Sequence, residues 1–133
     1  MPFVSATLCA EPSAELTARA VAVLTDLTVE VLGKERARTT VVVHYVPETR
    51  WARGGALPAR GFYVEVKITS NTNSRDDKGR YIREVNQALQ ALLVGTSGYV
   101  TVDEIASDSW GHAGETQEVR YVRAALEKKN AAA

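Results

Sequence analysis

A single cysteine, Cys9, stands among the 133 residues, and the chain has no net charge, with sixteen basic side chains against sixteen acidic ones. One cysteine excludes a disulfide within the chain and fits a reducing compartment. Its apolar, strand-like surroundings make Cys9 a small buried residue. Balanced charge leaves no basic footprint for nucleic acid or a membrane surface. No apolar run approaches the roughly 20 residues that span a bilayer. The segment after Met1 lacks a basic lead and a long apolar core, so no export signal is expected. His44, His112 and Cys9 lack the spacing of metal ligands, and the chain has no HExxH and no glycine-rich phosphate loop. The expectation is a soluble cytoplasmic protein without metal, cofactor, nucleic-acid or membrane partner.

What is present is 45% apolar and 24% charged, enough for one domain over residues 1–133. Residues 3–9 read as a buried strand. Ser13 caps a helix whose apolar stripe is Leu16, Ala20, Leu24, Leu27 and Val31, and Gly33 ends it. Residues 39–46 are β-branched and form a second strand, left through Pro47 to a tight turn at Gly54-Gly55. The pattern then repeats about 60 residues on. Residues 61–69 alternate Phe62, Val64, Val66 and Ile68. Ser74 and Asp77 make a capping box for a helix with Ile82, Val85, Leu89 and Leu92 on one face, and residues 99–105 form a fourth strand. Residues 115–133 follow as a C-terminal helix whose Ala131–Ala133 end frays. The expected fold is α+β: two tandem β-α-β units, repeat one at 2–60 and repeat two at 61–114. They form a four-stranded mixed sheet with two helices on one face. The other sheet face calls for a cover, most simply further copies of the chain.

Pro2 carries the chemistry. Once Met1 is removed, a secondary amine heads the first strand. A free α-amino group has a pKa near ~8, and burial or a nearby cation lowers it. Such a group takes a proton near neutral pH and returns it.

In this order and spacing, Pro2, the Trp51-Ala52-Arg53-Gly54-Gly55 tail of strand two and Ile82-Arg83-Glu84-Val85 of helix two resemble the tautomerase superfamily over about residues 2–114. The second-helix run is similar to that of the short 4-oxalocrotonate tautomerases. The fused arrangement is similar to cis-3-chloroacrylic acid dehalogenase, in the run from Val46-Pro47 to Gly54-Gly55 and in Asp76-Asp77-Lys78-Gly79. The resemblance implies a trimer of fused chains with Pro2 in a pocket near subunit boundaries. It breaks at the chemistry of the dehalogenase branch. Thr28 stands at the place of a histidine, Ser70 and Asn73 at the places of two arginines, Thr101 near that of a tyrosine and His112 near that of a glutamate. Dehalogenation by hydration needs an activated water and a carboxylate clamp, so that activity is disfavoured.

The remaining expectation is a tautomerase acting on small enol or dienol carboxylates, with Pro2 as base and acid. Alternatives are a Pro2-dependent hydratase, dehalogenase or decarboxylase of a small unsaturated acid, or a non-catalytic trimer of the same fold. His112 is a second candidate acid or base. Arg75 and Asn73 are candidates for holding the substrate carboxylate, and Trp51 and Trp110 for apolar walls that lower the amine's pKa. His44 is read as structural. Arg38, Arg50 and Arg53 are further cations that the sequence does not order.

Overall fold

The computed structural model describes residues 1–132; Ala133, the last residue of the expected frayed end, lies outside the described residues. The chain runs β1 (Phe3–Cys9), α1 (Ala14–Leu32), β2 (Thr40–Val46), β3 (Phe62–Thr69), α2 (Arg75–Leu92), β4 (Gly98–Ile105), β5 (Gly111–His112), β6 (Glu115–Thr116) and α3 (Gln117–Ala132). Short 3-10 turns cover Arg36–Arg38 and Glu48–Arg50.

Four strands lie in the order β2-β1-β3-β4. β1 and β2 are parallel, β3 and β4 are parallel, and the two pairs meet antiparallel at β1 and β3. The mixed sheet is thus two β-α-β units joined at their first strands. Alternation decides the faces. Val4, Ala6 and Leu8 of β1 and Phe62, Val64, Val66 and Ile68 of β3 are buried against the helices. The opposite face is mixed: it carries Phe3, Tyr63, Tyr99, His44 and an ion cluster of Lys67 with Glu65 and Asp103.

Both main helices start as their sequences dictate. Ser13 Oγ accepts from Leu16 N, and Ser74 and Asp77 form a reciprocal capping box. Gly33 ends α1 at φ 67°, a conformation costly for residues with a Cβ. Ala20, Leu24, Thr28, Val31 and Leu32 form the buried stripe of α1. In α2 the buried face is Tyr81, Val85 and Leu89, whereas Ile82 is 39% exposed. Of the expected stripe, Val85 and Leu89 are buried and Leu92 packs partly buried against the core, and only Ile82 gives way to Tyr81. Tyr81, four residues before Val85, points inward, and its neighbour Ile82 lies about 100° around the helix. The buried Tyr81 hydroxyl lies 3.0 Å from Thr28 Oγ1, which also lies 2.7 Å from the Leu24 carbonyl. Burial pushes the Tyr81 hydroxyl up to about 12, against the opposing effect of the Thr28 hydrogen bond. Thr28, which the resemblance to the dehalogenase branch sets at a histidine's place, is thus part of the core.

The C-terminal segment departs from the expected continuous helix over 115–133. Glu115 and Thr116 pair with His112 and Gly111 in a small hairpin, and α3 begins at Gln117 and stays helical through Ala132. The hairpin turns at Ala113 and Gly114, both at positive φ. A side chain at Gly111 would put its Cβ 2.0 Å from the Glu115 carbonyl oxygen, so that closeness requires glycine.

Candidate active site

Pro2 is buried at the start of β1, and its carbonyl accepts from Thr40 N at 3.2 Å. Phe3, next along, pairs with Thr40 on one side and Lys67 on the other. The sheet register thereby brings the turn before β2 and the end of β3 to the chain's amino end. A cavity of about 270 Å³ opens there, lined among others by Met1, Pro2, Arg38, Lys67, Trp110, His112 and Gln117.

The walls are fixed from outside. Trp110 Nε1 donates to Thr69 Oγ1 at 3.1 Å, and Tyr121 of α3 donates to the same oxygen at 3.1 Å. The Trp110 carbonyl accepts from Gln117 N at 3.0 Å, and Ser107 O accepts from Glu118 N at 2.9 Å. His112 sits in the hairpin, where Arg120 Nη2 lies 3.2 Å from both its Nδ1 and its carbonyl. Arg120 Nη1 reaches Met1 Sδ at 3.5 Å. Removal of Met1 thus takes away a neighbour of that guanidinium and uncovers the Pro2 nitrogen in the same step.

The electrostatics favour a neutral amine. With Met1 present, the terminal amine is held below its ordinary 8.0, first by burial, then by Lys34 and Arg38, with Glu35 opposing and Arg120 adding to the effect. Lys67 is held above the usual lysine value by its hydrogen bonds to Asp103 and Glu65, so it stays charged but already neutralised by two carboxylates. Arg38, exposed and paired only with Glu35 at 3.1 Å, is the cavity cation free to take an anion.

Of the residues singled out in the sequence, the structure brings together Pro2, Arg38, Trp110 and His112. Asn73 stands apart: its Nδ2 donates to Leu32 O at 2.9 Å and to Asp77 Oδ2 at 3.3 Å, joining the end of α1 to the start of α2. Both amide hydrogens are engaged in those two bonds. Arg75 is exposed at the first turn of α2 and does not line the Pro2 cavity. Trp51 lines a second cavity, of about 340 Å³, with Arg53, Phe62, Gly98 and Tyr99. A Cβ on Gly61, just before β3, would come 2.9 Å from Trp51 Nε1, so the Trp51 ring packs against the backbone there. The second cavity, with Trp51 and Phe62 in its wall, holds no terminal amine. Sequence reasoning did not single out Lys67, Gln117 or Arg120. Lys67 was readable from the alternation of β3 opposite Phe3; Gln117 and Arg120 carried no signal, because the hairpin that places them was not read. Among the described residues no group of three His, Cys, Asp or Glu side chains is placed to hold a metal ion, and no helix is long and apolar enough to cross a membrane.

A family model described as tautomerase enzyme matches residues 2–60. No curated protein matches the chain. Among solved structures, a wild-type fused 4-OT described as a symmetric trimer is similar, with a TM-score of 0.81 at 16% identity over 89% of this chain and 98% of that one. The structure of Pt0534 inactivated by 2-oxo-3-pentynoate gives the same values, 0.81, 16%, 89% and 98%. FG41 malonate semialdehyde decarboxylase inhibited by 3-bromopropiolate gives 0.71 at 16% identity, over 90% and 96%. At these identities the likeness is one of fold, and it spans both repeats.

Proposed function

Residues 2–60 belong to the tautomerase family and the whole chain has the fused tautomerase fold, and from this premise we propose that the protein moves a proton between oxygen and carbon of a small enol carboxylate. Pro2 is the base and the acid. Its nitrogen takes the enol hydroxyl proton, the O–H pair becomes part of the new C=O bond, and the C=C pair takes a proton from the Pro2 ammonium at carbon. No atom is gained or lost. The observation that carries this reading is the placement of Pro2, buried at the head of β1 in a cavity that also holds Arg38, Trp110 and His112. Arg38 binds the carboxylate, Trp110 excludes water, and His112 stands by as a second donor. The mixed outer sheet face and the trimers among the similar structures support a homotrimer, in which further residues, Arg75 and Trp51 among them, are free to meet a neighbour's cavity.

The test is covalent capture. After intact mass confirms loss of Met1, 2-oxo-3-pentynoate is incubated with the protein. Conjugate addition of the Pro2 amine to the alkyne adds the whole reagent mass with no leaving group. A single adduct mapped to Pro2, with loss of activity, supports the reading; no adduct, or one on a lysine alone, contradicts it.

A further inference from the structure

The cavity holds a polar group that nothing in the protein satisfies. Gln117, the first residue of α3, is only 2% exposed, and its Nε2 has no hydrogen-bond partner among the described residues. Burying an amide donor without a partner is costly, and a side chain free to reach solvent would normally do so. Gln117 has little such freedom. Its backbone N–H is spent on the Trp110 carbonyl, and Trp110 is itself tied to Thr69. Gln117 lines the cavity with Pro2, Arg38 and His112. Met1 lines the same cavity, so its loss enlarges the space in it.

We propose that Gln117 is a substrate-binding residue whose side-chain amide donates a hydrogen bond to the oxygen on the carbon next to the substrate carboxylate. That oxygen is the enol oxygen of one tautomer and the keto oxygen of the other. The assignment rests on the proton-transfer reading above and narrows it: the substrate is a 2-oxo acid and its enol, bound at two points by Arg38 and Gln117. A neutral amide suits this task. It donates to the oxygen as negative charge grows there during proton transfer, and it takes no proton from Pro2. An amide left unpartnered when the cavity is empty also discriminates strongly, because an acid lacking the 2-oxygen leaves it unpaired.

The experiment compares wild-type protein, shown by mass to lack Met1, with Gln117→Leu. Calorimetric binding uses phenylpyruvate and 3-phenylpropanoate, which share ring and carboxylate but differ in the 2-oxygen. The wild type is expected to prefer phenylpyruvate by about tenfold, the value of one hydrogen bond. Gln117→Leu is expected to lose that preference, to bind 3-phenylpropanoate as the wild type does, and to melt no lower than the wild type. An unchanged preference, equal weakening toward both acids, or a lowered melting temperature overturns the assignment, the last two marking Gln117 as structural. Turnover of phenylenolpyruvate is measured separately. Lost preference in the variant without wild-type turnover keeps Gln117 as the oxygen ligand and contradicts the proton transfer; turnover with the preference unchanged contradicts Gln117 alone.

Discussion

Arg120 Nη2 lies 3.2 Å from His112 Nδ1. A guanidinium only donates, so Nδ1 is the acceptor and Nε2 is the nitrogen left to carry the proton. Arg120 thus fixes the tautomer of His112 and, through the His112 carbonyl, the hairpin that bears it.

Nitrogen NMR of His112 should show Nδ1 as the bare nitrogen in the wild type. Arg120→Ala should release this restriction and lower kcat/KM by about tenfold through loss of a positioned group. Retention of the same tautomer in the variant would separate Arg120 from that role.

The pH profile follows from the amine. A base must be neutral to act, so kcat/KM falls as pH drops through the pKa of the Pro2 amine. The Met1 amine, one residue before it, is held below its ordinary 8.0 by burial, Lys34 and Arg38, and the same cations are expected to lower the Pro2 amine. Lys34→Ala should therefore raise the amine's pKa and move the acid limb to higher pH. An acid limb that stays in place or moves downward would contradict the electrostatic account.

The core pair predicts an asymmetry. Thr28 Oγ1 donates to Leu24 O and accepts from Tyr81. Tyr81→Phe removes one bond and leaves Thr28 satisfied, at a cost of about 0.5–1.5 kcal/mol. Thr28→Val strands a fully buried tyrosine hydroxyl, which costs about 1–3 kcal/mol. Denaturant unfolding of both variants checks the order, and a larger loss in Tyr81→Phe would refute it.

Asn73 and Ser74 act on the fold. Ser74→Ala removes half a capping box, for about 1 kcal/mol. Asn73→Ala frees the Leu32 carbonyl and is expected to cost a similar amount. Unfolding curves of the two variants give these losses directly.

The architecture was legible because it rests on short-range pattern. Alternation marked β3, caps marked α1 and α2, and the recurrence of starts at Phe3 and Phe62, Ala14 and Arg75, Thr40 and Gly98 marked the duplication. On α2 the expected Val85 and Leu89 are buried, and the pattern favours Ile82 over Tyr81 because an aromatic Tyr81 is amphipathic and Ile82 is not, yet helix geometry aligns Tyr81 with Val85 and Leu89. Half of the site was legible as well. Pro2 announces itself by chemistry, but its cavity is assembled by sheet register and by a two-residue hairpin. Glu115 and Thr116 read as the opening turn of a helix, so nothing in the local sequence said that Gln117 would be drawn inward by the Trp110 carbonyl.

Ketonisation of phenylenolpyruvate, followed by ultraviolet absorbance for the Met1-free protein beside Pro2→Ala, tests the central claim most directly. Pro2→Ala exchanges the ring-held secondary amine for a primary amine without the ring's constraint, which misplaces the group that accepts and returns the proton, so the variant should fall by about a hundredfold. Equal rates in the two proteins would contradict the assignment of the N-terminal proline.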